Sequence, residues 1–217
     1  MKLTEFHTHT YLSDGALVPA EHIRRMIVKG FEAIAITDHV DSATIDHVLK
    51  CLELIRNDFE DEIIFLPGVE ITHVPPSQIS FLANKAKKKN FLVLVHGETI
   101  VEPVASGTNK AALECTDVDI LAHPGILTPE EAQLAIDNNI FLEITTRGGH
   151  LLGNGRVADL AMELGAKMIV NSDAHSPSDF MSKKLAQRTA IGSGIPESMF
   201  EEIFLKNPEE IIKKVIK

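Results

Sequence analysis

Short apolar runs alternate with amphipathic stretches along this chain. The runs cover residues 3–7, 33–37, 63–71, 91–95, 118–122, 141–145 and 167–171. They are rich in Ile, Val, Leu and Phe and too short to stand as helices, which predicts strands. The stretches between them carry helix start and stop signals. Pro19 opens a helix that closes at Gly30, and Ser42 reads as the N-cap of another running to about Asp61. A third spans 77–90. Thr128-Pro129-Glu130-Glu131 combines a capping threonine, proline at the first helical position and acidic residues in the first turn, and that helix stops at Asn138-Asn139. Another runs 155–165, and from Pro177 onward the pattern predicts two or three more. The exception is Gly97 to Gly107, whose Gly, Pro, Ser and Thr predict a long loop before a short helix at 110–114.

Seven β/α units without a linker or a repeat predict one α/β domain over 1–217, with a parallel sheet, outer helices and a helical segment from about 177. Two architectures fit, an open doubly wound sheet or a seven-stranded barrel. The polar residues decide between them. His7-Thr8-His9 ends the first strand, His39 follows the second, and Glu70 lies near the end of the third. His96 ends the fourth, His123 the fifth, and Asp173-Ala174-His175 the seventh, while Asp14 sits in the first loop. Six of the ten histidines thus lie at one end of successive strands. Parallel barrel strands converge at their C-terminal rim, whereas an open sheet would spread these ends along a wide edge. The expectation is therefore a distorted (β/α)7 barrel of the TIM type with a metal site on that rim.

Spacing adds to this reading. Residues i and i+2 of a strand face the same way, so His7 with His9, and Asp173 with His175, can serve one cluster. Mixed imidazole and carboxylate donors suit Zn, Mn or Fe. Three carboxylates against two or three divalent ions leave a net positive trap for phosphate. Arg147 ends the sixth strand in register with Glu143 and Thr145 and is the first candidate for a phosphate clamp, with Lys110, Lys183 and Arg188 behind it. By the same register Glu143 points inward and braces a ligand histidine. His73 and His150 lie in loops on the rim, where His150 is a candidate substrate-binding residue. His22 and His47, inside outer helices, read as surface residues.

Composition narrows the chemistry. A formal charge of −10, no Trp and one Tyr leave little to hold nucleic acid, although short ends remain an option. Cys51 and Cys115 form no paired motif, which fits a reducing compartment. The opening residues lack the apolar stretch of a signal peptide, and no run reaches the ~18 residues of a membrane span, so a cytoplasmic protein is expected. Phe200, Ile203 and Phe204, at helical spacing, fit core packing, a cap on the barrel base or a dimer contact; the oligomeric state stays open.

The residues resemble the PHP family, the polymerase and histidinol phosphatase superfamily. The resemblance rests on His7-Thr8-His9-Thr10…Ser13-Asp14-Gly15, Ile36-Thr37-Asp38-His39, Gly68-Val69-Glu70, Val95-His96-Gly97, Ala122-His123-Pro124 and Asn171-Ser172-Asp173-Ala174-His175, in order over residues 1 to about 190. It implies a distorted seven-stranded barrel and a trinuclear centre. His7, His9, Glu70 and Asp173 would bind one ion; Glu70, His96 and His123 a second; Asp14, His39 and His175 the third. Some members carry His where this chain has Asp14. The implied activity is a metal-dependent phosphoesterase that hydrolyses a small phosphomonoester, such as histidinol phosphate or a nucleotide, by attack of a metal-bound hydroxide on phosphorus. Glu70, Asp173 and His175 are its candidate catalytic groups. The alternatives are a phosphodiesterase or exonuclease on nucleic-acid ends, a hydrolase of the TatD or amidohydrolase type, and a non-catalytic metal-binding assembly subunit.

Overall fold

The structure, a computed structural model, describes residues 3–216. Its strands are β1 (Thr4–Glu5), β2 (Ala33–Ile36), β3 (His39–Val40), β4 (Ile64–Ile71), β5 (Leu92–His96), β6 (Ile120–Ala122), β7 (Phe141–Thr145) and β8 (Met168–Asn171). All pairings are parallel, in the order β1-β2-β4-β5-β6-β7-β8, and β3 continues the line of β2 along β4. Seven strand positions therefore make the wall. A parallel bridge between Thr8 and Ala174 brings the last strand position back to the first at the C-terminal rim. There the His9 amide donates to the Ala174 carbonyl at 2.8 Å. The result is the expected distorted, nearly closed (β/α)7 barrel.

Between β1 and β8 the seam is held by side chains. The Glu5 carboxylate accepts the amides of His7 and Ser172 at 3.2 and 3.1 Å and the Ser172 hydroxyl at 2.5 Å. The Phe6 amide donates to Asn171 Oδ1 at 3.1 Å. Burial pushes the Glu5 carboxyl up to about 7 against these donors.

The outer layer contains α1 (Pro19–Val28), α2 (Ile45–Leu54), α3 (Ile79–Lys87), α4 (Thr108–Leu113), α5 (Pro129–Asp137), α6 (Asn154–Leu164), α7 (Lys183–Gly192) and α8 (Asn207–Val215). The Thr128 capping box of α5 forms as expected. The helix expected from Ser42 starts later, because the Asp41 carboxylate takes the amides of Ala43 and Thr44 and holds them in a turn. It also stops at Leu54, where turns replace it. No helix among the described residues is long and apolar enough to cross a membrane.

Two apolar layers follow from strand alternation. Residues such as Ile34, Ile36, Val93, Val95, Leu142 and Ile144 face the helices. Phe6, Ala33, Ala35, Leu66, Leu92, Leu94, Ile120, Phe141 and Ile169 fill the barrel. Ile211 and Val215 of α8 join this interior set and close the barrel's N-terminal end. Ile203 and Phe204 are buried in the outer core, and Phe200 packs against it, so these three side chains belong to core packing. His22 departs from the expected surface position. It is 1% exposed, and its ring meets Phe180 at 4.9 Å. The signal was present: His22 lies four residues before buried Met26 on the apolar stripe of α1.

Candidate metal centre

The polar layer stands directly on the apolar barrel interior. Glu70 lies four residues beyond Leu66, His96 two beyond Leu94, Glu143 two beyond Phe141 and Asp173 four beyond Ile169. Even spacing keeps each side chain on the inner face. Gly68, between Leu66 and Glu70, has no room for a side chain: a Cβ there would sit 2.8 Å from Thr37 Cγ2 and 2.9 Å from the Leu92 carbonyl. His123 is three residues beyond Ile120 and therefore out of phase. Its backbone at φ +28° turns the ring in, and Asp173 at φ +53° bends the chain after β8. Such conformations cost a non-glycine residue about 1–3 kcal/mol, held here by the surrounding barrel.

All nine sequence-predicted ligands meet. His7, Glu70 and His123 offer atoms within 4.8 Å of one another, as do His7, His9 and Asp173, then His39, Glu70 and His96, and finally His9, Asp14, His39 and His175. These overlapping groups make one cluster. Glu70 is its hub, with Oε2 3.3 Å from His7 Nε2 and 2.8 Å from His39 Nδ1, and Oε1 3.2 Å from His96 Nδ1 and 3.5 Å from His123 Nε2. Asp173 Oδ1 lies 3.0 Å from His9 Nε2, and Asp14 Oδ2 lies 3.3 Å from His175 Nε2. Asp14 is the open member, 56% exposed, while His7, His9 and Glu70 are fully buried.

The donors fit divalent ions. Among the described residues, the buried side-chain atoms without a hydrogen-bond partner belong to His7, His9, Glu70, His96, His123 and Asp173, with His22 Nε2 the one exception. Buried polar atoms are ordinarily paired; the orphans of His7, His9, Glu70, His123 and Asp173 lie in one cluster that cations would satisfy, whereas His96 Nε2 faces Glu102.

Electrostatics agree. Burial opposes ionisation of Glu70, yet His7, His39 and His96 hold its carboxyl well below the usual range. Burial would depress His7, but Glu143, Glu70 and Asp173 carry it well above an ordinary imidazole. Burial and the neighbouring His39 push His9 down to about 3, which leaves one ring nitrogen free to donate to an ion. Without cations the carboxylates keep protons on nearby rings; metal binding would release them.

Second-layer partners fix the rings. Glu143 Oε1 lies 2.8 Å from His7 Nδ1, its Oε2 accepts the His123 amide at 3.0 Å, and Asn171 Nδ2 donates to Oε1 at 2.9 Å. His39 Nδ1 pairs with the Thr72 hydroxyl at 2.7 Å. Asp38 was not singled out in the sequence, yet its carboxylate fastens the loop that carries Asp14. It accepts the Thr10 amide and hydroxyl and the Ser13 hydroxyl at 2.6, 2.7 and 2.8 Å.

The cluster opens into a cleft of about 550 Å³ lined by Asp14, His39, His96, Asp173 and His175 and, at its edge, by Arg147 and His150. Arg147 Nε is 3.8 Å from Asp173 Oδ2, and its Nη1 is 3.6 Å from Asp179 Oδ2. His150 is buried; its Nδ1 meets the Thr99 hydroxyl at 2.9 Å, and burial together with His123 pushes it down to about 4. Lys110, Lys183 and Arg188 are exposed and lie outside this lining. Glu102, from the 97–107 loop, also lines the cleft and carried no signal in the sequence.

Residues 5–123 match the model of the PHP domain. The chain belongs to the PHP-domain family. This PHP domain is 43% identical to the uncharacterized protein MJ1295 of Methanocaldococcus jannaschii, over 97% of this chain and 99% of that one. Its fold is similar to a chain in the structure of archaeal ribonuclease P with mature tRNA, with a TM-score of 0.70 at 16% identity over 96% and 90% of the two chains. It is also similar to histidinol phosphate phosphatase from Lactococcus lactis, solved with zinc, L-histidinol and phosphate, with a TM-score of 0.63 at 15% identity over 90% and 95%.

Proposed function

We propose that this PHP domain is a metal-dependent phosphoesterase that hydrolyses a small phosphomonoester. The reading is carried by one observation: the orphaned imidazole and carboxylate atoms form a buried cluster that reaches, through His96 and Asp173, a cleft also lined by the Arg147 guanidinium. The proposed ions would be held by His7, His9, Asp14, His39, Glu70, His96, His123, Asp173 and His175, as the family resemblance implies. When bound they would activate water as the nucleophile and neutralise charge on the phosphoryl oxygens.

The chain's own groups would do the rest. Arg147 binds a phosphoryl oxygen and orients the ester toward the cluster. Asp179 holds the guanidinium at the edge of the cleft. Asp173 or His175 would accept and return protons. His150 binds the leaving-group side of the ester. Among the described residues Arg147 is the one Lys or Arg lining the cleft, against Asp14, Asp41, Glu102 and Asp173, which supports a monoester over a polyanion. A cytoplasmic location is part of the same reading.

A second reading draws on the similarity to the ribonuclease P chain: an assembly subunit that binds a protein or RNA partner. A scaffold has no need of nine converging donors, which favours the enzyme. The deciding experiment strips the protein of metal, reloads it with Mn, Zn or Fe and assays a phosphate panel: histidinol phosphate, nucleoside mono- and bisphosphates, an aryl monoester, an aryl diester and a short oligonucleotide. Metal-dependent monoester turnover that His9→Ala loses is expected. Stoichiometric metal without turnover on any substrate would sink the phosphoesterase reading.

A further inference from the structure

Outside the nine-residue cluster, a second group of ligand-type atoms stands at the mouth of the cleft. His73, on the turn after β4 with its backbone at φ +53°, places Nε2 3.1 Å from Glu102 Oε2. His96 Nε2 lies 3.0 Å from the same oxygen. That nitrogen is buried and has no hydrogen-bond partner, so the approach to Glu102 lacks hydrogen-bond geometry. The three donor atoms lie within 4.8 Å of one another. His150 flanks them, with Nε2 3.4 Å from Glu102 Oε1.

A proton on His73 accounts for the His73–Glu102 contact alone. It leaves His96 Nε2 buried and unsatisfied, at a cost of about 1–3 kcal/mol. One cation shared by the three residues satisfies all of them. Two imidazoles and a carboxylate are a donor set for Zn, Mn or Fe, and three protein ligands leave positions for water.

His96 joins this group to the interior. Its Nδ1 is 3.2 Å from Glu70 Oε1, and its Nε2 faces Glu102. The inner donors of His7, His9, Glu70 and His123 are buried, so an ion reaches them through the cleft. The side chains of His73 and Glu102, 40% and 36% exposed, meet it first. We propose that His73, His96 and Glu102 form an exchangeable entry site that captures a divalent transition-metal ion at the mouth and passes it inward along His96. The proposal rests on reading the nine-residue cluster as a metal centre, and on no particular substrate.

The test uses metal-free full-length protein and Co²⁺ as the probe. Equilibrium dialysis counts ions, and visible absorption followed by stopped flow times their entry. Wild type is expected to bind one weakly held ion more than the double variant His73→Gln/Glu102→Gln. The double variant should fill the inner sites to the same final level but measurably more slowly. His9→Ala should lose inner binding and keep the weak ion. Equal ion counts in wild type and double variant overturn the site, and equal loading rates overturn its entry role. Loss of the inner ions in the double variant would make His73 and Glu102 supports of the inner cluster and overturn the proposal too. Hydrolysis is not read, so failure of the phosphoesterase assignment leaves this result standing.

Discussion

Glu143 Oε1 sits 2.8 Å from His7 Nδ1, and both side chains are fully buried. The contact turns His7 Nε2 toward Glu70 and Asp173, at 3.3 and 3.5 Å. Glu143 thus fixes both the ring angle and the tautomer that leaves Nε2 free as a donor. Glu143→Gln keeps the volume and weakens this hold. The expected result is metal affinity lower by about 10–100-fold, the usual cost of losing such a partner. Metal titration of the two proteins measures it; unchanged affinity would show that packing alone orients His7.

Removing the metal should destabilise the whole barrel, because the donors come from nearly every strand. One ion at about 100 times its Kd adds roughly 2.7 kcal/mol. For a chain of this length that corresponds to a Tm shift of about 5–10 °C. Thermal unfolding with chelator and with added Mn or Zn reads the shift, which His9→Ala should reduce.

The seam between β1 and β8 depends on Glu5. Glu5→Ala leaves the amides of His7 and Ser172 without their acceptor inside the barrel wall. Each buried orphan costs about 1–3 kcal/mol, so a loss of several kcal/mol is expected in urea unfolding. Hydrogen exchange should rise first at Phe6, His7 and Ser172. Exchange that rises uniformly would argue against a local role.

His22 gives the fold an acid sensitivity unrelated to the metal ligands. Burial pushes it down to about 4 from 6.5. The unfolded chain therefore binds a proton between these values that the folded protein refuses. Stability is full above pH 6.5 and falls as the pH drops toward 4, by up to about 1.4 kcal/mol per pH unit. His22→Leu should lose less stability than wild type between pH 7 and 4.5, with both proteins metal-loaded and measured by urea unfolding. Parallel losses would place the sensitivity elsewhere.

Arg147→Ala tests the clamp. Hydrogen bonds to charged groups contribute about 1.5–3 kcal/mol, which predicts kcat/KM lower by roughly 10–100-fold. Steady-state kinetics on the best monoester provide the value. Arg147→Lys should recover part of it, since a point charge replaces a planar fork. An unchanged KM and kcat for Arg147→Ala would remove this residue from the site.

The order and type of the main elements, and the nine residues of the cluster, were legible in the sequence. The elements follow from local periodicity, and the cluster residues from their place at strand ends or, for Asp14, in the first loop: alternation along a strand tells which residues share a face, and a parallel barrel gathers strand ends on one rim. The structure groups the nine residues accordingly. His123, out of phase with its strand, reaches the cluster through a backbone turn that periodicity does not encode. The side-chain seam at Glu5 and Asn171 depends on contacts between residues more than 160 positions apart. Glu102 comes from a loop without periodicity and is brought to His73, His96 and His150 by the packing of three separate connections. The burial of His22 was written in the stripe of α1, but Phe180, which covers it, arrives from the other end of the chain. Local sequence thus determined which side chains each strand and helix presents. Tertiary closure decided which of them meet, because the barrel joins its first strand to its last only when the whole chain has folded.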